Sequence, residues 1–353
     1  MEIKKYLDDL ESRIDEAGEA DLIAQWKRFA DGGGPEGLFS PRRNYTAPPS
    51  VEWPDYSVNE AIADRGKMLL SQLAGCSGAI AHGAGNVLNV RSNYGTGIMS
   101  SLFGAEIFMM EDKLNTLPTS IPLPGGADAV RRLVDAGVPD LYTGFGGKAL
   151  EMGAYYAEEF APYPKISKYL SVYHPDTQGP VDIAELVWGS AMFYEFVDQP
   201  ELVHEFLALI TETYAKYLRT WLAIAPHAPA IPEGYAPHWG MLHKGAIMLR
   251  DDSAMNLSGE MFEEFIRPYD QRLLDEFGGG AIHFCGHGDH FIAPMCSMRN
   301  LHGINLSQPH LNDMGHVWRN TVDKGIPMFG FDRGWAERAL AEGRDLKRRV
   351  QVW

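Results

Sequence analysis

The chain has 353 residues, 45% of them hydrophobic and 22% charged, so it can bury a large core without disulfides or a partner subunit. Its 31 Lys and Arg residues against 47 Asp and Glu residues give a formal net charge of −16, which disfavours nucleic acids and acidic membranes as partners. Three cysteines are a sparse and odd set, unlike a secreted disulfide framework, so we expect a reducing, cytoplasmic setting.

The amino-terminal part of the chain is predicted to be helical. Residues 1–30 place apolar side chains at helical spacing with acidic residues between them, and a Gly- and Pro-rich loop follows over 31–57. The opening residues lack the apolar core of a signal peptide, and no run of about 18 apolar residues occurs, so we expect no membrane span. We predict that residues 1–75 form helices and a wrapping loop around the main fold.

From residue 76 onward, short apolar runs alternate with helical stretches, which is typical of parallel strands joined by helices. No Gly-x-Gly-x-x-Gly motif follows the first strand, which disfavours a dinucleotide-binding sheet. We therefore predict an α/β fold, a single (β/α)8 TIM barrel over residues 76–353 with an N-terminal helical extension. The predicted strands are 84–90, 169–173, 246–249, 281–285, 303–306 and 326–329, and the main predicted helices are 127–136, 147–159, 200–224 and 258–277.

Polar clusters follow four of these strands, at the end of a barrel where active sites lie. Arg91 and Arg250 are of the type that grips a substrate carboxylate in bidentate fashion, or they pair with an acid as scaffolding. Asp251 and Asp252 are a base with its orienting partner, an anion pair that organises a zinc-bound group, or a helix-capping, solvated loop. The predicted catalytic residues are Asp252, Asp176 and His283, and the predicted substrate-binding residues are Arg91, Asn93, Tyr94, Gln178, His238, Trp239 and Arg250.

The segment from His283 to His290 carries the strongest chemical signal. Alternate residues of a strand point the same way, so His283 and Cys285 share a face at metal-ligand spacing, although such a pair can also be plain core. Imidazole and thiolate are zinc ligands, and a catalytic zinc takes three protein ligands. His287 is the predicted third ligand; the alternatives are His290, His238, Asp252 and Asp176.

Three motifs together resemble the uroporphyrinogen decarboxylase superfamily over roughly residues 80–335. They are Asn93-Tyr94-Gly95 with Ser101–Gly104, the stretch from Asp251 through Phe262 to Arg267-Pro268-Tyr269, and His283-Phe284-Cys285-Gly286. The resemblance implies a (β/α)8 barrel whose carboxyl-end funnel holds the substrate. The His-x-Cys-Gly segment resembles the zinc motif of the branch that transfers methyl groups with corrinoid proteins.

The resemblance implies two chemistries, and the sequence departs from both patterns. The arginine-rich opening of the decarboxylase has no counterpart here, and the distal zinc cysteine of the methyltransferases is missing, because no cysteine follows Cys296. We predict zinc-assisted methyl transfer involving a small substrate and a corrinoid carried by a partner protein, with a monomer or homodimer equally compatible. The alternatives are a metal-free decarboxylase (a lyase) for a porphyrinogen-like substrate and a non-catalytic barrel that binds a small molecule or a corrinoid protein.

Overall fold

The computed structural model of the protein describes residues 3–225 and 227–353. The helices are α1 Lys4–Arg13, α2 Glu16–Ala30, α3 Val58–Ala63, α4 Arg65–Ala81, α5 Ile98–Leu102, α6 Gly126–Ala136, α7 Gly144–Phe160, α8 Pro164–Tyr169, α9 Pro180–Trp188, α10 Met192–Asp198, α11 Pro200–Ile224, α12 Gly259–Met261, α13 Arg267–Glu276, α14 Ile292–Met295, α15 Met314–Asn320 and α16 Arg333–Ala341. The strands are β1 Asn89–Val90, β2 Glu106–Phe108, β3 Thr119–Ile121, β4 Ser171–Val172, β5 Tyr235–His238, β6 Met241–Lys244, β7 Ile247–Arg250, β8 Gly280–Phe284, β9 Leu301–Leu306, β10 Met328–Phe331 and β11 Val350–Val352. Across the described ranges, every helix is too short or too polar to cross a membrane.

A parallel sheet forms the centre of the molecule. Its five strands lie in the order β11-β10-β9-β8-β7, and β1 pairs with β4 in a separate parallel pair. The strands β7 to β10 occupy the predicted apolar runs, with β7 and β8 buried along their whole length. Such continuous burial is typical of a parallel sheet covered by helices on its outer face. The predicted α/β class is confirmed.

The described strands do not form the complete eight-stranded ring that the sequence analysis predicts. In the described residues, no backbone ladder joins the β1-β4 pair to the five-stranded sheet. On one side the gap is bridged by the backbone N–H of Met248, which donates to His174 Nε2 at 3.0 Å. On the other side, isolated bridges from Phe39 to Gln351 and from Arg42 to Ala84 lie between β11 and β1. The loop that was predicted to wrap the barrel therefore supplies one of these links.

A β-hairpin that the sequence analysis did not predict lies against both sheets. Strands β5 and β6 pair in antiparallel fashion around Trp239, whose φ of +48° is uncommon for a bulky side chain. The carbonyl oxygen of Gly240 accepts from Val87 N at 2.8 Å, and the His238 ring lies 4.5 Å from the ring of Tyr173. Trp239 makes an edge contact with His283 at 5.2 Å. The hairpin tip therefore fills the space between the two sheets.

The predicted helix over 258–277 is interrupted. Ser258 caps it as expected, accepting from Met261 N at 3.2 Å, but a π-helical segment runs from Phe262 to Ile266 before α13 begins. Pro268 lies at the start of α13. Proline has no N–H to donate to the preceding turn, so the regular hydrogen-bond spacing is lost at this point.

The amino-terminal helices are joined to the sheet by a buried ion pair. Arg43 Nε lies 2.5 Å from Glu19 Oε1, and both side chains are almost completely buried. The Arg43 guanidinium also donates to Asn86 O at 2.7 Å, and the Tyr45 hydroxyl donates to Glu19 at 2.7 Å. These bonds connect α2 to the segment that leads into β1. Because α4 runs through residue 75, the predicted boundary between the two parts of the chain falls inside a helix.

We expect Glu19→Ala to lower the free energy of unfolding by about 3–5 kcal/mol, because the substitution leaves the Arg43 guanidinium buried without a countercharge. Urea unfolding followed by circular dichroism measures the effect. Glu16→Gln on the same helix is the matched control, since Glu16 pairs with Lys168 at the exposed surface and should contribute little. Equal effects of the two substitutions would contradict this interpretation.

Candidate metal centre

Three side chains with metal-binding atoms converge at the carboxyl ends of β7 and β8. His283 lies in β8, Cys285 follows that strand directly, and Asp252 follows β7. Cys285 Sγ is 3.4 Å from His283 Nε2, and His283 Nε2 is 3.5 Å from Asp252 Oδ1. All three ligand atoms lie within 4.8 Å of one another. In the part of the chain that the structure describes, this is the one group of three or more His, Cys, Asp or Glu side chains arranged in this way.

A neighbouring asparagine determines which nitrogen of His283 is free. On β9, Asn305 Nδ2 donates to Phe329 O at 2.6 Å, which turns Asn305 Oδ1 toward His283 Nδ1, also at 2.6 Å. An amide oxygen can only accept, so Nδ1 must carry the ring proton. The lone pair of the neutral ring is then on Nε2, which faces Cys285 and Asp252. This is the arrangement that orients histidine ligands in metal sites.

The protonation states at this cluster depend on whether a cation is present. Burial lowers the pKa of His283, so its ring is neutral and can act as a ligand. Burial, together with the charge of Asp252, raises the pKa of the Cys285 thiol to about 11. The protein alone therefore holds Cys285 as a thiol, and a bound cation would be needed to stabilise its thiolate. One imidazole nitrogen, one sulfur and one carboxylate oxygen form a donor set that fits zinc and leaves a fourth position for substrate.

The two adjacent aspartates point to different surroundings. Asp252 Oδ1 accepts the backbone N–H of Cys285 at 2.8 Å, which links the loop after β7 to the end of β8. Asp251 is buried beside Asp270 of α13. Among the described residues, neither Asp251 Oδ2 nor either carboxyl oxygen of Asp270 accepts from an N–H or O–H. Two carboxyl groups can form a hydrogen bond only if one of them is protonated, so we expect Asp251 and Asp270 to share a proton.

The predicted arginines are both paired with the same acid. Arg91 and Arg250 each form an ion pair with Asp176. Arg250 also donates to His238 Nε2 at 2.8 Å, and its guanidinium lies 4.7 Å from the centre of the Trp239 ring. Burial would raise the pKa of Asp176, but the charges of Arg250 and Arg91 outweigh burial and lower it. These predicted residues therefore form one charged network beside the metal-binding cluster.

Of the other predicted site residues, Gln178 is connected to this cluster through Asp182, which accepts Asp252 N. It is buried, and its Nε2 donates to Asp182 Oδ2 at 3.3 Å. Tyr94 is buried against Phe145, with ring centres 5.3 Å apart, and Asn93 is half-buried.

The histidine that was predicted as the third ligand lies outside the cluster. His287 is half exposed and contacts Asp289 at 3.1 Å. Asp252, which was among the alternatives for that role, occupies the third position.

Two residues of this region were not identified from the sequence. Asn305 lies directly opposite His283 in the β8-β9 register, and Asp182 accepts Asp252 N at 3.0 Å and Ser253 N at 2.7 Å. Burial and the charges of Asp252 and Asp251 raise the pKa of Asp182 well above its usual value. The one signal for Asn305 was a polar residue among the apolar residues at the end of β9.

The shared proton predicts a specific pH dependence of stability. Burial raises the pKa of Asp270 to about 7. The contribution of protonated Asp270 to the free energy of unfolding is therefore fully present below about pH 4 and is lost as the pH rises toward 7. Relative to wild type, Asp270→Asn should therefore become more stable by up to about 1.4 kcal/mol per pH unit across this window. Urea unfolding of both proteins at a series of pH values measures the difference. Asp251→Asn should behave in the same way, and a response to only one substitution would contradict a shared proton.

Comparisons with known proteins show the fold. No protein-family model matches the chain, and no curated protein sequence matches it. A solved structure of a methyltransferase from Methanosarcina mazei is similar to it, with a TM-score of 0.59 and 17% sequence identity over 94% of this chain and 91% of that chain. At this identity the likeness concerns architecture alone, and the chain has the same overall fold as that methyltransferase.

Proposed function

We propose that this protein is a zinc-assisted methyltransferase of the uroporphyrinogen decarboxylase superfamily, acting on a small substrate with a corrinoid as the source of the methyl group. The observation that carries the proposal is the cluster of Asp252, His283 and Cys285 at the carboxyl ends of neighbouring parallel strands. Similarity of the fold to a methyltransferase supports it. We also propose that residues 76–353 form one modified (β/α)8 barrel, with residues 1–75 packed outside it, and that the corrinoid is held by a partner protein.

The proposed zinc ligands are His283 Nε2, Cys285 Sγ and one oxygen of Asp252. When bound, zinc would supply the Lewis acidity that lowers the pKa of a substrate thiol and makes it a nucleophile toward the methyl group. Asn305 holds the His283 ring with its free nitrogen toward the other two ligands. Trp239 makes an edge contact with one side of the His283 ring.

The pairing of the arginines favours this activity over decarboxylation of a porphyrinogen. A substrate with many carboxylates needs several free cations in its pocket, but Arg91 and Arg250 are both engaged by the carboxylate of Asp176. These residues instead position the strand ends around the cluster. Arg250 pairs with Asp176 in the loop after β4 and donates to His238 at the hairpin tip, and these two contacts keep the loop and the hairpin in place.

Purified without chelators, the protein should contain about one zinc per chain. His283→Ala, Cys285→Ala and Asp252→Ala should each lose most of this zinc, because each removes one of three ligands. Elemental analysis of the purified variants measures the stoichiometry. His287→Ala is the matched control and should retain zinc, since that side chain lies outside the cluster.

Methyl transfer is tested with methylcobalamin as donor and a small thiol as acceptor, by mass spectrometry of the methyl thioether. The zinc-containing protein should accelerate the reaction, and Cys285→Ala should not. The proposal would be refuted if the wild-type protein contained no zinc and if the His283→Ala substitution left its properties unchanged. Formation of coproporphyrinogen from uroporphyrinogen by such a metal-free protein would instead establish the decarboxylase alternative.

Asn305→Ala should weaken zinc binding by about 10- to 100-fold while leaving all three ligands in place, because His283 loses the partner that fixes its ring. Competition with a fluorescent zinc chelator measures the affinity. Asn305→Asp, which keeps an acceptor opposite His283 Nδ1, should retain tight binding. Equal affinity of Asn305→Ala and wild type would show that the hydrogen bond does not orient the ligand.

A further inference from the structure

A cavity of about 360 Å³ adjoins the metal-binding cluster on the side of Asp252. Its walls come from α9, from the loop after β7 and from the β2-β3 arm, so it lies at the carboxyl ends of the strands. The lining residues are Thr96, Ser120, Pro122, Gln178, Asp182, Glu185, Leu186, Gly189, Ser190, Asp252 and Ser253. Asp252 belongs to both the cavity and the cluster, so a molecule in this cavity lies beside the proposed zinc ligands.

The lining of this cavity has only one sign of charge. The described residues that line it include three carboxylic acids, Asp182, Glu185 and Asp252, and no Lys, Arg or His. Glu185 accepts from Ser253 Oγ at 2.6 Å and from Ser190 Oγ at 3.0 Å, which fixes its carboxylate without neutralising it. A cation is the ligand that such a lining favours, and an anion would be repelled.

An unpartnered acceptor points to a ligand that donates hydrogen bonds. Gln178 is 94% buried, since only 6% of its surface is accessible. Its Nε2 donates to Asp182, which leaves Oε1 as the free end of the amide. In the described part of the chain, this buried Oε1 has no hydrogen-bond partner. Leaving a buried acceptor unpaired is unfavourable, so a bound donor would stabilise this arrangement.

The lining also distinguishes between kinds of cation. None of the described residues that line the cavity is aromatic, and aromatic faces are what proteins use to bind quaternary ammonium groups. The groups available are carboxylates, hydroxyls and an amide oxygen. They match the three N–H donors of a primary ammonium group.

We propose that this cavity binds the primary ammonium group of the substrate, and that the methyl acceptor is a small molecule with both a thiol and a protonated amine. The identity of the acceptor rests on the proposed methyl transfer, because its thiol would bind at the fourth zinc position. Recognition of the ammonium group depends only on the cavity. The two parts are therefore separable by experiment.

The first experiment titrates n-propylammonium chloride into the full-length protein by isothermal titration calorimetry. Saturable binding to one site is expected, with at least about tenfold weaker binding of tetramethylammonium and of neutral 1-propanol. Glu185→Gln should weaken propylammonium binding about tenfold, the effect of losing one charge-assisted hydrogen bond. Glu205→Gln is the control, because Glu205 is exposed and pairs with Arg131 on α6.

Gln178→Met provides a second variant, because it removes the free acceptor and keeps a side chain of similar length. Thermal unfolding verifies that both variants fold. Absence of saturable propylammonium binding, equal affinity for tetramethylammonium, or unchanged affinity in both variants would overturn the proposal. Binding of Mg²⁺ with no binding of propylammonium would identify a metal site and would also overturn it.

His283→Ala separates this proposal from the proposed function. It removes a metal ligand but no wall of the cavity, so propylammonium should still bind, at least as tightly as to wild type, because Asp252 is then free of zinc. A protein that binds propylammonium but no zinc would refute methyl transfer and leave ammonium recognition standing. On the zinc-containing protein, 2-aminoethanethiol should bind at least about tenfold tighter than 2-mercaptoethanol, and Glu185→Gln should reduce that preference. Equal affinity for the two thiols would overturn the aminothiol assignment.

Discussion

The register of the parallel strands β7, β8 and β9 determines which side chains meet at the proposed metal centre. Arg250 lies opposite His283, and His283 lies opposite Asn305. A shift of one residue in β8 would turn His283 to the other face of the sheet and place Phe284 at the cluster. The ligand pair, its hydrogen-bonded support and the neighbouring arginine therefore depend on one alignment of these strands.

This alignment concentrates acidic groups at the strand ends. Asp182, Asp251 and Asp270 are buried, and their raised pKa values show that the fold accepts them at an energetic cost. Backbone N–H groups of Asp252 and Ser253 offset part of that cost at Asp182. Buried acids with perturbed pKa values are common at functional sites, because the same arrangement serves ligand binding rather than stability.

Local patterns explain what could be predicted from the sequence. The apolar runs indicated β7 to β10, and the period of two placed His283 and Cys285 on one face. The third member of the cluster required the pairing of β7 with β8, which brings Asp252 across 31 residues of chain. His287 was favoured because it is near in sequence, but the chain turns at Gly286, whose φ is +80°, and carries His287 toward solvent. The β5-β6 hairpin was missed because Pro237 and the left-handed Trp239 interrupt its strand pattern.

Asp252 links the proposed metal centre to the neighbouring cavity, and this explains how the two could act on one substrate. Zinc bound by a thiolate and a carboxylate has its charge balanced by those ligands, so Glu185 keeps its attraction for a second cation. A substrate thiol at the open zinc position and an amine among these acids would be held at two points. Two-point binding fixes the orientation of a small flexible molecule, which a single contact cannot do. A neutral thiol would lack the second contact, and a carboxylate-bearing thiol would be repelled by the cavity.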